Sequence, residues 1–266
     1  SLKIVAPGEG AEIQGDVGGQ VYYLALNQKK AELANPKVQE AMRWAIDYTG
    51  MQDSILKGLW VVHQTFLPKG FLGALDENPY ALDIEKAKAL MAESGLTLPI
   101  EIGFTVRNNQ ERMDIATSIQ NTFAQIGINL VLDVGDGKQG LETYRGRKHD
   151  ITLQTWGPDY PDPHTNASTF AMNPDNSDAA NATGYLAWRT AWDPGADLNA
   201  ETAAAVEEKD AAKRAELYGD IQRQVRDHSA FVLMFQQARQ DAMRANVSGF
   251  YAGGATDSAT YWTVTK

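Results

Sequence analysis

The stretch from residue 100 to residue 156 constrains the fold of this chain more than any other. Residues 100–106 carry Ile100, Ile102, Phe104 and Val106, a β-rich run. The apolar spacing then lengthens. Ala116, Ile119, Phe123 and Ile126 share one face of a helix expected over residues 110–126, and Gly127 stops it. Ile128, Leu130, Leu132 and Val134 next alternate with Asn129, Val131 and Asp133, a period of two. A shorter helix is expected over residues 139–144 and a strand over residues 151–156. Strand, helix, strand, helix, strand at this spacing requires crossover connections, because a tight turn cannot join parallel neighbours. The expected class is α/β, with a mixed, largely parallel sheet flanked by helices.

The flanks fit around that centre. Residues 21–26 read as a short strand. Asn35 is an N-cap before Pro36, and Val38, Met42, Ala45 and Ile46 follow at helical spacing up to Gly50. A second short helix is expected over residues 51–56. Pro68, Gly70, Gly73 and Pro79 make residues 61–79 a long loop. Asp83 caps a helix over residues 84–94, which Gly95 closes. Beyond Trp156 the chain reads mainly as loop. Helix is expected again from about Glu201, and over residues 211–226, where Leu217, Ile221 and Val225 are spaced by four. Residues 231–235 read as a short strand, and the last thirty residues as strand and loop.

Composition removes several kinds of chemistry. There are no cysteines, which excludes disulfide scaffolds, thiolate catalysis and cysteine-based metal sites. The formal net charge is −10, and an acidic surface repels phosphate backbones, so no nucleic-acid partner is expected. No run of 18 apolar residues and no basic-then-apolar leader is present. The chain opens on Ser1 without an initiator Met and reads as a processed chain or a fragment. Phosphate-binding glycine loops, a nucleophile elbow and paired metal-ligand histidines are all missing, so neither a cofactor nor a metal is expected. His164 near Asp159 and Asp162 leaves a metal cluster conceivable, although Asp-rich loops are mostly solvated turns.

One loop stands out. Trp156-Gly157-Pro158-Asp159-Tyr160-Pro161-Asp162-Pro163 holds three prolines and a glycine at the carboxyl end of a predicted strand. Ligands of open α/β sheets sit at that end. Rigid aromatics around a fixed carboxylate suit an ammonium group. The same residues also fit a plain turn, with Trp156 in the core and the acids in water, and the residues alone leave both readings open. Asp159 and Asp162 could also serve a carboxylate-based hydrolase if they converged.

Five segments, taken in order, resemble the family-5 extracellular solute-binding proteins of ABC importers, the peptide, opine and nickel group. The first two are Asn35-Pro36-Lys37-Val38-Gln39-Glu40-Ala41-Met42-Arg43-Trp44-Ala45-Ile46-Asp47 and Asp83-Ile84-Glu85-Lys86-Ala87-Lys88-Ala89-Leu90-Met91-Ala92-Glu93-Ser94-Gly95. The third runs from Ile119-Gln120 to Ile126-Gly127-Ile128. The fourth is the Trp156 loop, and the fifth is Leu217-Tyr218-Gly219-Asp220-Ile221-Gln222.

The resemblance implies a lobe like those of type II periplasmic binding proteins, without enzymatic activity. It implies a hinge-crossing segment in residues 1–19, the C-terminal α/β lobe in residues 20–236, and a return toward a missing N-terminal lobe in residues 237–266. It also implies a periplasmic location and partnership with permease subunits. The cargo would be a di- or oligopeptide; an opine, a nickel chelate or an oligosaccharide would need the same fold. By the same resemblance Asp159 pairs with the peptide α-amino group, with Trp156, Gly157, Pro158 and Tyr160 around it. Some oligopeptide binders carry a carboxylate-binding Arg three positions before the Trp; Leu153 stands there here. Arg107 or Arg112, at the start of the helix after the residue-100 strand, is the candidate to replace it; the other reading, which the residues favour, is that both are solvated surface arginines.

Overall fold

The computed structural model describes residues 11–251 and 259–266. Six strands are present among them: β1 (Ala11–Leu26), β2 (Trp60–Val62), β3 (Ile100–Arg107), β4 (Ile128–Gly135), β5 (Ile151–Trp156) and β6 (Phe231–Arg244). The first six helices are α1 (Ala31–Ala34), α2 (Pro36–Trp44), α3 (Tyr48–Asp53), α4 (Ile84–Glu93), α5 (Gln110–Gln125) and α6 (Gly137–Arg145). The remaining four are α7 (Pro163–Ala171), α8 (Leu186–Arg189), α9 (Gly195–Ala205) and α10 (Ala211–His228).

The strands form one mixed sheet in the order β2-β6-β1-β5-β3-β4. The expectation of a mixed sheet flanked by helices holds, but "largely parallel" describes only half of it. β3 runs parallel to β4 and β5, whereas β1 is antiparallel to β5 and β6, and β2 to β6. The crossovers α5 and α6 impose the parallel half. The central strand β1 comes from the start of the chain and β6 from its far end, so no local connection sets their direction.

Alternation along β1 assigns each face its core. Tyr22, Leu24 and Leu26 join a cluster covered by α2, α4 and α5, while Val21, Tyr23 and Ala25 join one covered by α7, α9 and α10. The second cluster is aromatic at its centre. The Phe170 ring lies 5.3 Å from Tyr23, 5.7 Å from Phe66 and 5.1 Å from Phe231.

Helix ends follow local chemistry. Asn35, Asp83 and Asp136 each accept a backbone N–H in the first turn of the helix they open. The helix opened by Pro36 stops at Trp44 instead of reaching Gly50. Asp47 takes over as a new N-cap, and its Oδ1 accepts from Gly50 N at 2.9 Å. Helix α7 lies where mainly loop was expected. Its start is nonetheless written in the sequence: Asp162 is the N-cap and Pro163 the first helical residue. Helix α9 begins at Gly195, six residues before the expected Glu201.

β1 and β6 are both longer than their apolar runs suggest. They stay paired out to Ala11↔Arg244, beyond every other strand, as a two-stranded ribbon. At its base the register slips. Val17 pairs Ala238 and Val21 pairs Gln236, so three residues of β1 face Gln237 alone. A Cβ on Gly18 would lie 2.6 Å from Gln237 Oε1 and 2.8 Å from Gln237 Cβ, so only glycine fits there.

Two histidines are built into the packing. His63 and His149 are buried, and burial pushes each from the ordinary 6.5 down to about 4. Folding therefore keeps both neutral, while the unfolded chain takes up their protons. Their contribution to stability is fully present above about pH 6.5 and is lost as pH drops toward 4, by roughly 3 kcal/mol per histidine at the limit. His149 packs edge-on against Tyr144 at 5.0 Å. His149→Phe keeps that shape and removes the proton uptake. Its urea midpoint is expected to exceed that of the parent at pH 4.5; equal acid sensitivity in both proteins would disprove the assignment.

Candidate ligand site at the carboxyl edge of the sheet

β3 and β5 are parallel neighbours that pair at only two positions, Phe104↔Ile151 and Thr105↔Thr152. Past these the strands part. β3 continues along β4 to Arg107↔Gly135, and β5 continues along β1 to Val21↔Trp156. Their connections then leave for opposite faces. β3 feeds α5, which packs Ile115, Ala116, Ile119 and Phe123 into the first cluster. β5 feeds α7, which packs Ala167, Phe170 and Ala171 into the second. This is a topological switch point, the position in an open α/β sheet where the backbone leaves room for a ligand at the carboxyl ends.

The Trp156 loop forms one side of this gap. Trp156 is half-buried, and its ring meets Phe170 edge-on at 5.9 Å. The tryptophan thus leans on the second cluster while part of it stays accessible. Gly157 crosses close above β1: a Cβ there would sit 3.0 Å from Gln20 Cγ and 3.6 Å from Gln20 Cα. Pro158 is buried, and Asp159 and Tyr160 are exposed, Tyr160 by 55%. No hydrogen bond or ion pair engages the Asp159 carboxylate among the described residues.

Asp162, three residues on, does different work. Its Oδ1 accepts from His164 N at 2.8 Å, and both carboxylate oxygens lie 3.0 Å from Arg214 Nη2. Asp162 is a helix cap locked by an arginine, whereas Asp159 is unengaged. The pair therefore does not form the converging acids that hydrolytic chemistry needs. His164 is pushed below its ordinary value by burial, with Asp162 opposing and Arg214 adding to the shift. No cluster of three or more His, Cys, Asp or Glu suited to a metal exists among the described residues.

The arginines sit on the other side. Arg107 ends β3, is exposed, and lies over the start of α6, with Nε and Cζ 3.0 and 3.1 Å from the place a Gly137 Cβ would occupy. Arg112, in the first turn of α5, is 8% exposed. Its Nη1 donates to the Leu153 carbonyl at 2.9 Å and its Nη2 to Thr155 Oγ1 at 3.1 Å. Its guanidinium also lies 5.3 Å from the Tyr22 ring centre.

Three further residues at this edge carried no sequence signal. Tyr22 donates to Glu111 Oε1 at 2.6 Å, and Trp60 Nε1 donates to Glu111 Oε2 at 3.3 Å. The Tyr22 and Trp60 rings lie 4.2 Å apart. Burial raises the Tyr22 phenol above its ordinary range, the Arg112 charge works against this, and the bond to Glu111 supports it. These residues are 38 to 89 positions apart in the chain, so only tertiary structure unites them.

Comparison with known proteins places the chain in a family. The chain is 27% identical over 237 residues to an Escherichia coli (strain K12) protein named "Probable D,D-dipeptide-binding periplasmic protein DdpA", covering 87% of this chain and 43% of that one. It is 29% identical over 225 residues to the nickel-binding periplasmic protein of the same organism, covering 79% and 41%. The chain thus spans less than half the length of these curated relatives. Among solved structures, HbpA2 from Haemophilus parasuis superposes with a TM-score of 0.84 at 22% identity, over 96% of this chain and 50% of that one. The shared fold is that of a type II periplasmic binding protein lobe. A family model described as "Bacterial extracellular solute-binding proteins, family 5 Middle" matches residues 3–178, about two thirds of the chain, and the chain belongs to that family.

Proposed function

We propose that this chain is the part of an ABC-importer receptor that holds a di- or oligopeptide by its α-amino end, with Asp159 as the ammonium receptor. The carrying observation is the exposed Asp159 carboxylate, without a hydrogen bond or ion pair among the described residues, in the proline-rich loop that directly follows β5 where β5 has parted from β3. Trp156 and Tyr160 flank it, and Gly157 and Pro158 fix its path. Arg107, exposed at the end of β3, is the available partner for a ligand carboxylate. Arg112 is already bonded to the strand.

In the same reading the β1–β6 ribbon leads toward a second lobe. Residues 1–19 and 237–266 would serve as the crossing and return segments, of which residues 1–10 and 252–258 lie outside the described residues, and residues 20–236 as the solute-holding lobe. Support comes from the ribbon leaving the sheet at the edge that carries the Trp156 loop, since Val21 pairs Trp156 and the register slip follows at once. Closure of two lobes on the solute would desolvate the Asp159 pair and so strengthen it. Delivery would be to the importer's permease subunits, in the periplasm, with no catalysis.

A thermal-shift screen tests the cargo class. L,L-dipeptides, D-Ala-D-Ala and tripeptides with free amino ends are expected to raise Tm, and N-acetylated versions are not. Stabilisation by a nickel chelate, an opine or an oligosaccharide, with none by any peptide, would assign a different cargo to the same fold.

A further inference from the structure

The guanidinium hydrogen bonds of Arg112 go to the strand that leads into the Trp156 loop. In a parallel pair, strand carbonyls find partners on the neighbouring strand, and a buried carbonyl without one is costly. β3 abandons β5 after Thr152. Leu153, the next residue, is buried, and its carbonyl receives Arg112 Nη1. Two residues further along, Thr155 Oγ1 receives Nη2 of the same guanidinium. One planar fork therefore takes the place of the missing strand along the last stretch of β5, directly before Trp156. No carboxylate pairs with this guanidinium among the described residues, and the Tyr22 ring lies beside it. Glu111, the adjacent residue, is bound by Tyr22 and Trp60, which fixes the first turn of α5 against β1 and β2.

The geometry points to Arg112 as a positioning residue: it stands in for β3 on the free side of β5 and thereby sets the place of the Trp156–Asp159 loop, without touching the solute. The inference rests on the proposed site at this edge, but its direct consequence is read in the ligand-free protein.

Amide hydrogen exchange of the ligand-free full chain provides that reading. Arg112→Met is expected to speed exchange across residues 154–160 by about tenfold or more relative to β4 and β6, as loss of charge-assisted bonds implies. Arg112→Lys, which keeps one donor for the Leu153 carbonyl, is expected to restore part of the protection. Unchanged exchange at residues 154–160 in a folded Arg112→Met protein would overturn the inference. So would a rise spread evenly over the sheet, or a loss of solute affinity without any change in the ligand-free loop, which would mark Arg112 as a ligand contact. Should Arg112→Met not fold, Thr155→Val removes only the side-chain acceptor and is expected to loosen the same amides about threefold; no loosening there would also overturn it. A loosened loop in the variant, together with a parent protein that binds none of the screened solutes, would leave the positioning role standing and defeat the receptor reading alone.

Discussion

Asp159→Asn is expected to weaken binding of the solute giving the largest thermal shift by about two orders of magnitude or more. Removing one partner of a desolvated, hydrogen-bonded ion pair costs roughly 3–5 kcal/mol, and each 1.4 kcal/mol is a factor of ten. The carboxylate has no structural duty to lose. It is exposed and makes no hydrogen bond or ion pair among the described residues. The unliganded variant is therefore expected to melt within about two degrees of the parent, as surface changes away from special features do. Calorimetric titration with the solute and a melting curve without it check the two halves together. Unchanged affinity would remove Asp159 from the site. A large fall in Tm would give it a structural role that its surroundings do not suggest.

Phe170→Ala is expected to cost about 3–5 kcal/mol of stability, read from urea unfolding at neutral pH. Phe170 is fully buried and its ring meets those of Tyr23, Phe66, Trp156 and Phe231. Deleting it opens a cavity among rigid aromatic neighbours, which relax poorly into the space. The effect also reaches the ligand site, because Phe170 is the aromatic support of Trp156. Solute affinity is expected to fall along with stability, whereas Phe170→Leu keeps much of the volume and is expected to lose less of both. A loss below about 1 kcal/mol for Phe170→Ala would mean that the second cluster collapses around the gap.

Much of this arrangement is legible in the chain because it is local. The N-caps Asn35 and Asp83, the helix from Gln110, and the strand from Ile151 to Trp156 each depend on residues within a few positions of one another. The Trp156 loop is legible for the same reason, since its prolines, aromatics and acids are contiguous. Helix α7 was legible in principle from Asp162-Pro163, but the polar residues around it carry the composition of a loop. The length of β1 and β6 was not legible. Their outer pairing joins residues more than 200 positions apart, such as Ala11 and Arg244, so no local pattern announces it. The switch-point gap was hidden too, because it arises from the register of β3 on β5. Arg112 shows the consequence. Its acceptors, Leu153 and Thr155, lie 41 and 43 residues away, and nothing near Arg112 in sequence separates a strand clamp from a carboxylate receptor.

The most direct measurement of the central claim is a residue-resolved NMR titration of the chain with the solute that stabilises it most. The account predicts that the shifts concentrate on residues 107–112 and 155–160, the two banks of the gap between β3 and β5, and that they vanish when the solute's amino group is acetylated. Shifts centred on the opposite edge, around Ile100, Ile128 and Ile151, or shifts indifferent to acetylation, would contradict it.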